Sequence, residues 1–570
     1  MTTLVHRAVR KLSHVTGQHL RSRDGTLFVE GDPGSTASRA YGSVPRGLSA
    51  ASDRWVETRV LWKRPGGRYL EVCLTLDLSW RGARAWEYAK LYYAVGNEPF
   101  SEERAATFRL GMLGVPQTVR LPLPAVLREA TRIRLRVDPN PLSSDGHFTL
   151  HSLRCIHDAD GSPLNRSAHL QALKEHVRKE VARSEREQRG ELPHLPHSLS
   201  LELTPRCNFT CSHCSSHGTP ELHRQHNRAA ELSREHLEHL GRDVFPSLTS
   251  VGIVGRGEPL AVSRQLWERF CELLLEHEVF VAPVSNGSLL QDRIGPKLLP
   301  RLDALTISID GATEETFARN RGGASLSNVL KNVAHFHEMR KGSRLARAPR
   351  LGFSWTLKKN NIAEFPRFIE MIAELDADFV YARHLLTFFK RDAGESLVAA
   401  SAFANPHLRK AYALMEKHGI RSDCPPILED TPAEARGEAP TGVDASPGPS
   451  AASAPSKGCL FIWRTAVLLS DGEIPTCSAP FAAIAGHLRD KRFGSIWNGG
   501  VLRDVRQTLN GPGEWEQCRN CWYREGHYQE QRAQAAEGRA YDLQQAAQFT
   551  EKSWDFTDKE ADLGQSLNRK

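Results

Sequence analysis

Three cysteines lie within eight positions of one another in the segment TPRCNFTCSHCSSHG. Cys207, Cys211 and Cys214 are separated by three and then two residues, and thiolates are soft ligands that suit iron–sulfur clusters or zinc. A structural zinc site would be closed by a fourth ligand, for which His213 and His217 are near enough in sequence. The motif alone therefore leaves two possibilities open: a cluster with a vacant position, or a Cys₃His zinc knuckle.

A second group of cysteines lies nearer the C-terminus, within GCLFIWRTAVLLSDGEIPTC and EQCRNC. Its members are Cys459, Cys477, Cys518 and Cys521. Four thiolates complete either an iron–sulfur cluster or a zinc site, and spacing does not distinguish the two. The chain has 11 cysteines in all, an odd number that is unevenly spread, which is unlike a disulfide framework.

Polar motifs follow three apolar segments between these two cysteine groups. They are GRGEPL at 255–260, SNG at 285–287 and SIDG at 308–311. From Ser198 to about Leu386, apolar runs alternate with amphipathic helical patterns, which predicts repeated βα units and a parallel sheet. Because the carboxyl ends of parallel strands meet at one edge, the three motifs are expected to converge there with the three-cysteine loop.

Together these motifs resemble the radical S-adenosylmethionine (SAM) superfamily, over about residues 198–390. The resemblance rests on the C-x₃-C-x₂-C loop, GRGEP, SNG and SIDGATEETFARNRGG. It implies an α/β fold with a partial (β/α)6 barrel. It also implies that Cys207, Cys211 and Cys214 hold a [4Fe–4S] cluster whose fourth iron binds the amino and carboxylate groups of SAM. Reductive cleavage of SAM then gives a 5′-deoxyadenosyl radical that removes hydrogen from an unactivated carbon.

The same resemblance implies a set of SAM contacts. Gly257 and Glu258 would contact the methionine amino end, and Asn286, Ser308 and Asp310 would lie near the ribose or carboxylate. This chain has Arg256 where many members of the superfamily have glycine. That departure could affect how the ligand approaches. The resemblance assigns no catalytic residue.

The second cysteine group resembles the SPASM/twitch extension found after some radical SAM barrels. The resemblance implies one auxiliary [4Fe–4S] cluster held by Cys459, Cys477, Cys518 and Cys521, with no open iron and a role in electron transfer. Full SPASM domains carry three more cysteines, and His527 occupies a position where one of them is usual. A second auxiliary cluster is therefore not expected.

The rest of the chain is predicted to divide into simpler parts. Residues 1–53 are expected to be a mobile segment and 54–160 an all-β, jelly-roll-like sandwich, since Ile133, Leu135 and Val137 alternate with arginines. A connecting helix at 161–197 leads into the barrel at 198–424. A Pro/Ala/Gly/Ser-rich linker at 425–458 precedes the cysteine-rich domain at 459–530 and a polar, partly helical tail at 531–570.

Composition limits the partners and the compartment. The chain has 570 residues, with 75 basic and 67 acidic side chains, and its formal net charge of +8 includes no run typical of nucleic-acid binding. No apolar stretch approaches the ~18–20 residues of a membrane span, and the N-terminus lacks a secretory pattern. We therefore expect a cytoplasmic protein. The resemblance to radical SAM enzymes implies that it receives electrons from a donor such as flavodoxin or ferredoxin.

The substrate is the least determined feature. A faint likeness of the N-terminal region to accessory domains of cell-envelope glycan enzymes favours a sugar, glycolipid or other envelope-linked substrate. The alternative is a maturase of a ribosomally made peptide, because members with this extension often modify such peptides. A protein of another class, in which both cysteine groups are structural zinc sites and the β domain binds a partner, is the remaining alternative.

Overall fold

The structure is a computed structural model that describes part of the chain. The described residues are 19–23, 26–31, 42–43, 56–61, 69–77, 88–101, 104–109, 117–122, 124–128, 132–138, 147–156, 163–345, 347–385, 389–397, 400–425, 427, 459, 461–479, 482–515 and 518. They fall into two compact units. One comprises residues 1–179 with 339–349, and the other comprises 180–338 with 350–570.

Ten strands occupy the described residues up to position 156. They are β1 His19–Arg23, β2 Thr26–Gly31, β3 Gly42–Ser43, β4 Val56–Leu61, β5 Tyr69–Asp77, β6 Tyr88–Val95, β7 Ala105–Arg109, β8 Gln117–Pro122, β9 Arg132–Asp138 and β10 His147–Ile156. They form sheets of order β1-β2-β4-β9-β6-β7 and β3-β10-β5-β8. Leu135 of β9 is fully buried, as its alternating pattern predicts. The first three strands lie within the segment that was expected to be mobile, and the jelly-roll-like arrangement stays a prediction.

The second unit contains one parallel sheet of eight strands. These are β11 Ser198–Leu201, β12 Ser250–Ile253, β13 Phe280–Ser285, β14 Ala304–Ser308, β15 Arg350–Leu357, β16 Phe379–His384, β17 Arg421–Asp423 and β18 Thr465–Leu468. Their order in the sheet is β17-β16-β15-β14-β13-β12-β11-β18. The six strands of the partial (β/α)6 barrel that the family resemblance implies correspond to β11 to β16. The sheet is larger than expected because a short strand is added at each edge.

Strand β18 comes from the cysteine-rich segment and pairs in parallel with β11. Ser198 lies opposite Thr465 in this register, and their hydroxyl oxygens are 2.6 Å apart. The segment also contains an antiparallel hairpin of β19 Glu473–Pro475 and β20 Ile484–His487. The start of the second cysteine group is therefore built into the same sheet as the barrel strands.

The helices occur mainly between the strands of the parallel sheet. They are α1 Ala125–Arg128, α2 Pro163–Arg186, α3 Pro220–Arg228, α4 Arg234–Asp243, α5 Arg264–Glu276, α6 Leu290–Arg293, α7 Glu314–Asn320, α8 Leu326–Lys341, α9 Phe365–Ala373, α10 Ser401–Lys417, α11 Phe493–Trp497 and α12 Gly500–Thr508. The stripe Leu266, Phe270 and Leu274 of α5 is buried, as its helical spacing predicts. No described helix is long and apolar enough to cross a membrane.

Side chains alternate between the two faces of the parallel sheet. On β15, Phe353 and Trp355 contact Phe368 of α9, with ring centroids 6.1 and 4.5 Å apart. Ser354, between these two residues, and Thr356, after them, therefore point to the opposite face, away from the helices. Both are partly exposed. The helix-covered face is the hydrophobic core, and the other face is the lumen of the partial barrel.

Candidate metal and cofactor site

The predicted convergence of motifs at the carboxyl edge of the sheet is present as a hydrogen-bonded network. Glu258, after β12, accepts bonds from the Ser285 hydroxyl at 2.8 Å and from the Asn286 backbone N–H at 2.7 Å. The Asn286 side-chain amide in turn donates to Asn208 Oδ1 at 2.8 Å. Asn208 lies within the three-cysteine loop. Three segments that are distant in sequence are therefore joined at one edge of the sheet.

The cysteine loop is fastened to helix α3 by Asn227. The Cys207 backbone N–H donates to Asn227 Oδ1 at 2.9 Å, and Asn227 Nδ2 donates to the Cys207 carbonyl at 3.1 Å. His223 contacts Asn227 Nδ2 at 2.9 Å and His217 Nδ1 at 3.0 Å, and His217 Nε2 lies 3.0 Å from the Pro205 carbonyl. Both ends of the loop are therefore held by side chains that the motif analysis did not identify.

Two glycines allow backbone segments to approach this loop closely. A Cβ atom at Gly257 would lie 2.3 Å from the Arg206 carbonyl oxygen and 2.5 Å from the Pro205 carbonyl carbon. Gly322 has a φ of +64°, and a Cβ atom there would lie 2.6 Å from the Thr210 carbonyl oxygen. Glycine is required at both positions because the opposing atoms belong to backbone that has little freedom to move.

A buried group of charged side chains lies beside Cys211. Arg321 Nη1 donates to Cys211 Sγ at 3.6 Å, and Arg321 Nη2 lies 2.8 Å from Asp310 Oδ2. His213 Nε2 lies 3.3 Å from the same Asp310 oxygen. Lys358 Nζ donates to Asn320 Oδ1 at 2.7 Å and lies 3.2 Å from His213 Nδ1. Of the five residues grouped here around Cys211, only Asp310 belongs to the predicted SAM contacts.

Burial strongly disfavours free thiolates in this loop. Burial raises the pKa of Cys207 to about 12, and it also raises the pKa of Cys214. The donors present include the Phe209 backbone N–H, which lies 3.4 Å from Cys207 Sγ. A metal centre bound here would supply the positive charge that deprotonation of the three thiols requires.

The structure does not fit the zinc knuckle. His213 is engaged by Asp310 and Lys358, and His217 by His223 and the Pro205 carbonyl, so neither histidine completes a site with the cysteines. Among the described residues, no three Cys, His, Asp or Glu side chains converge as ligands of a single metal ion. A [4Fe–4S] cluster takes one thiolate at each of three irons, and the three cysteines of this loop supply that donor set.

The residues proposed as SAM contacts lie along the carboxyl edge, and most are already hydrogen-bonded within the protein. Glu258 is buried, which raises its pKa, and its oxygens accept the bonds described above. Asn286 Oδ1 accepts from the Ser288 hydroxyl at 2.6 Å, and Ser308 accepts from the Ser354 hydroxyl at 3.0 Å. Asp310 Oδ1 accepts from a backbone N–H at 2.6 Å. Their contacts with SAM stay a prediction.

Arg256 connects this site to the cysteine-rich segment. Its guanidinium lies 2.6 Å from Glu202 Oε1, at the end of β11, and 3.2 Å from Asp471 Oδ2, beyond β18. The Ser470 hydroxyl donates to the same Glu202 oxygen at 2.7 Å. Burial opposes ionisation of Glu202, but the hydrogen bonds and charge of Arg256 outweigh it and hold the Glu202 pKa below its usual range. The arginine at 256, where glycine is usual, therefore forms an ion pair with a buried carboxylate.

The second cysteine group is only partly described. Cys459, Cys477 and Cys518 are half-buried, and the Phe461 backbone N–H lies 3.4 Å from Cys459 Sγ. Cys521 and His527 lie outside the described residues, as do nearly all of the expected linker and the whole expected tail. That all four cysteines hold one cluster stays a prediction.

Two protein-family models match this chain, one over the three-cysteine loop and one over the second cysteine group. Residues 201–372 match the radical SAM superfamily, and residues 459–522 match the SPASM iron–sulfur cluster-binding domain. These two matches include all seven of the cysteines that were predicted to bind clusters. The matched radical SAM region also includes the three polar motifs at the strand ends.

Several known proteins are similar to this chain. It is 26% identical over 332 residues to the AdoMet-dependent heme synthase of Methanosarcina barkeri, covering 58% of this chain and 89% of the relative. It is 32% identical over 152 residues to the mycofactocin maturase MftC of Mycobacterium ulcerans, covering 24% of this chain and 37% of the relative. A crystal structure of Streptococcus suis SuiB bound to S-adenosylmethionine is 14% identical, with a TM-score of 0.40, covering 59% of this chain and 72% of that one.

Proposed function

The chain is a radical SAM iron–sulfur enzyme with a C-terminal SPASM domain, and from this premise we propose that it abstracts hydrogen from an unactivated carbon of a peptide. Its cofactors are a SAM-binding [4Fe–4S] cluster, SAM and an auxiliary cluster. When bound, these groups supply reductive cleavage of a carbon–sulfur bond and thereby hydrogen abstraction. The main support for this reaction site is the set of hydrogen bonds that joins the three-cysteine loop to GRGEP and SNG at the carboxyl edge of the sheet.

Different residues of the site have different roles. We assign cluster binding to Cys207, Cys211 and Cys214, which lie on one loop after β11. The glycine at 257 lets the GRGEP segment lie directly against that loop, so a ligand bound to the cluster would also meet this segment. Asn227 holds the loop in place through the Cys207 backbone. Reactive intermediates need protection from water, which the lumen of the partial barrel can give.

The lumen face of the sheet carries small, partly exposed residues on neighbouring strands: Ser200, Gly252, Ala282, Ser308 and Ser354. Larger side chains such as Val284 and Tyr381 share this face. The small residues are compatible with an extended peptide segment that enters at the carboxyl edge.

The peptide substrate is supported by the similarity to a mycofactocin maturase over 152 residues. No comparison supports the sugar, glycolipid or envelope-linked substrate that the sequence favoured, and none supports a zinc-stabilised binding protein. A second candidate substrate is a heme precursor, because the alignment with the AdoMet-dependent heme synthase is longer and covers 89% of that relative. Both candidates use the same hydrogen-abstracting site.

The cellular setting also belongs to the proposal. We propose that the enzyme works in the cytoplasm, where its thiols stay reduced, and that flavodoxin or ferredoxin supplies its electrons. The auxiliary cluster, held by Cys459, Cys477, Cys518 and Cys521, would accept or supply an electron during turnover. The parallel pairing of β18 with β11 places the segment after Cys459 on the barrel sheet, which supports a short path between the two centres.

The experiment is a reaction of the anaerobically reconstituted and reduced full chain with SAM. Release of 5′-deoxyadenosine that is lost in Cys207→Ala supports the enzyme, and its absence from the iron-loaded wild type contradicts it. Precursor peptides encoded beside the gene and a porphyrin precursor of heme are then added separately. A mass change confined to a peptide supports the maturase. A mass change confined to the porphyrin overturns the peptide substrate and supports the second candidate.

A further inference from the structure

The feature that the proposed function leaves unexplained is the buried arginine beside Cys211. Arg321 follows helix α7, and its backbone N–H caps that helix by donating to the Phe317 carbonyl at 2.8 Å. Its side chain is only 10% exposed, and Nη1 donates to Cys211 Sγ at 3.6 Å. A guanidinium this close to a predicted cluster ligand is a direct electrostatic neighbour of any cluster bound there.

The net charge beside Cys211 depends on Arg321 and on the side chains that contact it. Arginine stays protonated in proteins. Burial disfavours ionisation of Asp310, but the neighbouring positive charges of Arg321 and Lys358 outweigh it, and the Asp310 pKa is below its usual range. Arg321 Nη2 lies 2.8 Å from Asp310 Oδ2. The negative charge of Asp310 thus offsets the positive charge of Arg321. The Lys358 amine, which donates to Asn320 Oδ1, is a further hydrogen-bond donor near this pair.

Reduction of a [4Fe–4S] cluster from the 2+ to the 1+ state adds one electron and so one negative charge beside Cys211. Hydrogen bonds to the sulfurs, net charge and solvent exposure set the reduction potential of such clusters. A positive donor that contacts a ligand sulfur stabilises the reduced state more than the oxidised state. Because Arg321 is buried, solvent screens this effect little.

We propose that Arg321 is a positioning residue that raises the reduction potential of the cluster held by Cys207, Cys211 and Cys214. Asp310 opposes it by neutralising part of the guanidinium charge at a distance of 2.8 Å. The proposal rests on cluster binding by these three cysteines, and it does not depend on which substrate the enzyme uses. It gives Asp310 a function that is separate from its proposed contact with SAM.

The competing explanation is that Arg321 only stabilises the fold. A structural role predicts loss of cluster or of stability when the side chain is replaced, with no ordered change in potential. An electrostatic role predicts opposite shifts when the positive charge and its neutralising carboxylate are removed separately. The two substitutions Arg321→Gln and Asp310→Asn therefore distinguish the explanations.

The test is an anaerobic redox titration of the full chain without SAM, with dithionite as reductant and EPR detection. The relevant signal is the one lost in Cys207→Ala. For Arg321→Gln we expect the ratio of reduced to oxidised cluster at a fixed potential to fall about tenfold, equivalent to about 59 mV for one electron. Arg321→Lys should lower this ratio less than Arg321→Gln does, because lysine keeps the positive charge. Asp310→Asn should raise the ratio.

Arg319→Gln is the matched control, because Arg319 lies in the last turn of helix α7, two residues before Arg321, with its side chain 55% exposed and paired to Glu315. It should leave the titration unchanged. Iron and sulfide content, measured for every variant, shows that each signal comes from a loaded cluster. If Arg321→Gln does not retain the cluster, Arg321→Lys and Asp310→Asn decide the question. An unchanged potential in loaded Arg321→Gln, or a lowered ratio in Asp310→Asn, overturns the proposal.

Discussion

The guanidinium of Arg256 lies 2.6 Å from the carboxylate of Glu202, which is 1% exposed, at the end of strand β11. This ion pair also reaches Ser470 and Asp471 in the cysteine-rich segment. It therefore connects the GRGEP motif, the first barrel strand and the segment that contributes β18. A buried carboxylate of this kind is costly to leave without its partner.

Replacing Arg256 should destabilise the protein strongly. We expect Arg256→Gln to lower the free energy of unfolding by about 3–5 kcal/mol, because Glu202 would remain as an uncompensated buried charge. Urea denaturation measures the loss. The double variant with Glu202→Gln should recover much of it. Arg224→Gln, which removes an exposed pair with Glu221, should cost little stability, because solvent screens exposed ion pairs. Equal losses for Arg256→Gln and Arg224→Gln would contradict the prediction.

Asn227 should be needed for cluster loading. Asn227→Ala removes both hydrogen bonds to the Cys207 backbone, each worth about 1 kcal/mol, and leaves the loop free to move. We expect lower iron and sulfide content after anaerobic reconstitution while most of the fold persists by circular dichroism. Asn328→Ala on the exposed side of α8 is the control. Full iron loading of Asn227→Ala would show that the loop does not need this clamp.

The close contact at Gly257 predicts a steric effect that is independent of SAM. In Gly257→Ala the new methyl group would press on the Arg206 and Pro205 backbone, and we expect a cost of about 1–3 kcal/mol with reduced iron content. Denaturation and iron analysis without SAM measure it. Gly295→Ala, where a Cβ would meet no atom within 4 Å, serves as the comparison and should keep wild-type iron content.

The two cysteine groups should bind separate clusters. We expect Cys207→Ala to lose about four irons per chain along with 5′-deoxyadenosine formation. Cys459→Ala should lose a similar number while keeping the EPR signal that responds to SAM. Zinc in place of iron and sulfide in the second group would show that the SPASM segment of this chain is structural.

His384 predicts a pH dependence of stability. Both of its ring nitrogens are buried and have no hydrogen-bond partner among the residues that the structure describes. Burial, with a smaller contribution from Arg383, lowers the pKa of His384 to about 4. The unfolded chain binds a proton near pH ~6.5 and the native protein does not, so stability is lost as pH falls between these values. In His384→Leu, the loss of stability between about pH 7.5 and pH 5 should be smaller by about 2 kcal/mol.

Urea denaturation of the chain at the two pH values measures this difference. His335→Leu, on the exposed side of α8, is the matched control and should lose as much stability as the wild type over the same range. A pH dependence in His384→Leu identical to that of the wild type would contradict the assignment.

Local sequence patterns determined the cysteine loop, the six central strands and the order of motifs along the carboxyl edge. These features depend on spacing within a short segment and on the alternation of apolar and polar residues, which a single sequence displays. The stripes of α5 were predictable for the same reason. The SAM contacts and the jelly-roll-like domain stay predictions.

The tertiary structure alone decided which side chains meet. Arg321 and Cys211 are 110 positions apart, and Glu202 and Ser470 are 268 apart, so no local pattern relates them. The edge strand β18 was missed because its four residues pair only with β11, far away in sequence. Burial then sets the pKa values, because the dielectric surroundings of Cys207, His213 and His384 depend on chain segments that folding brings together.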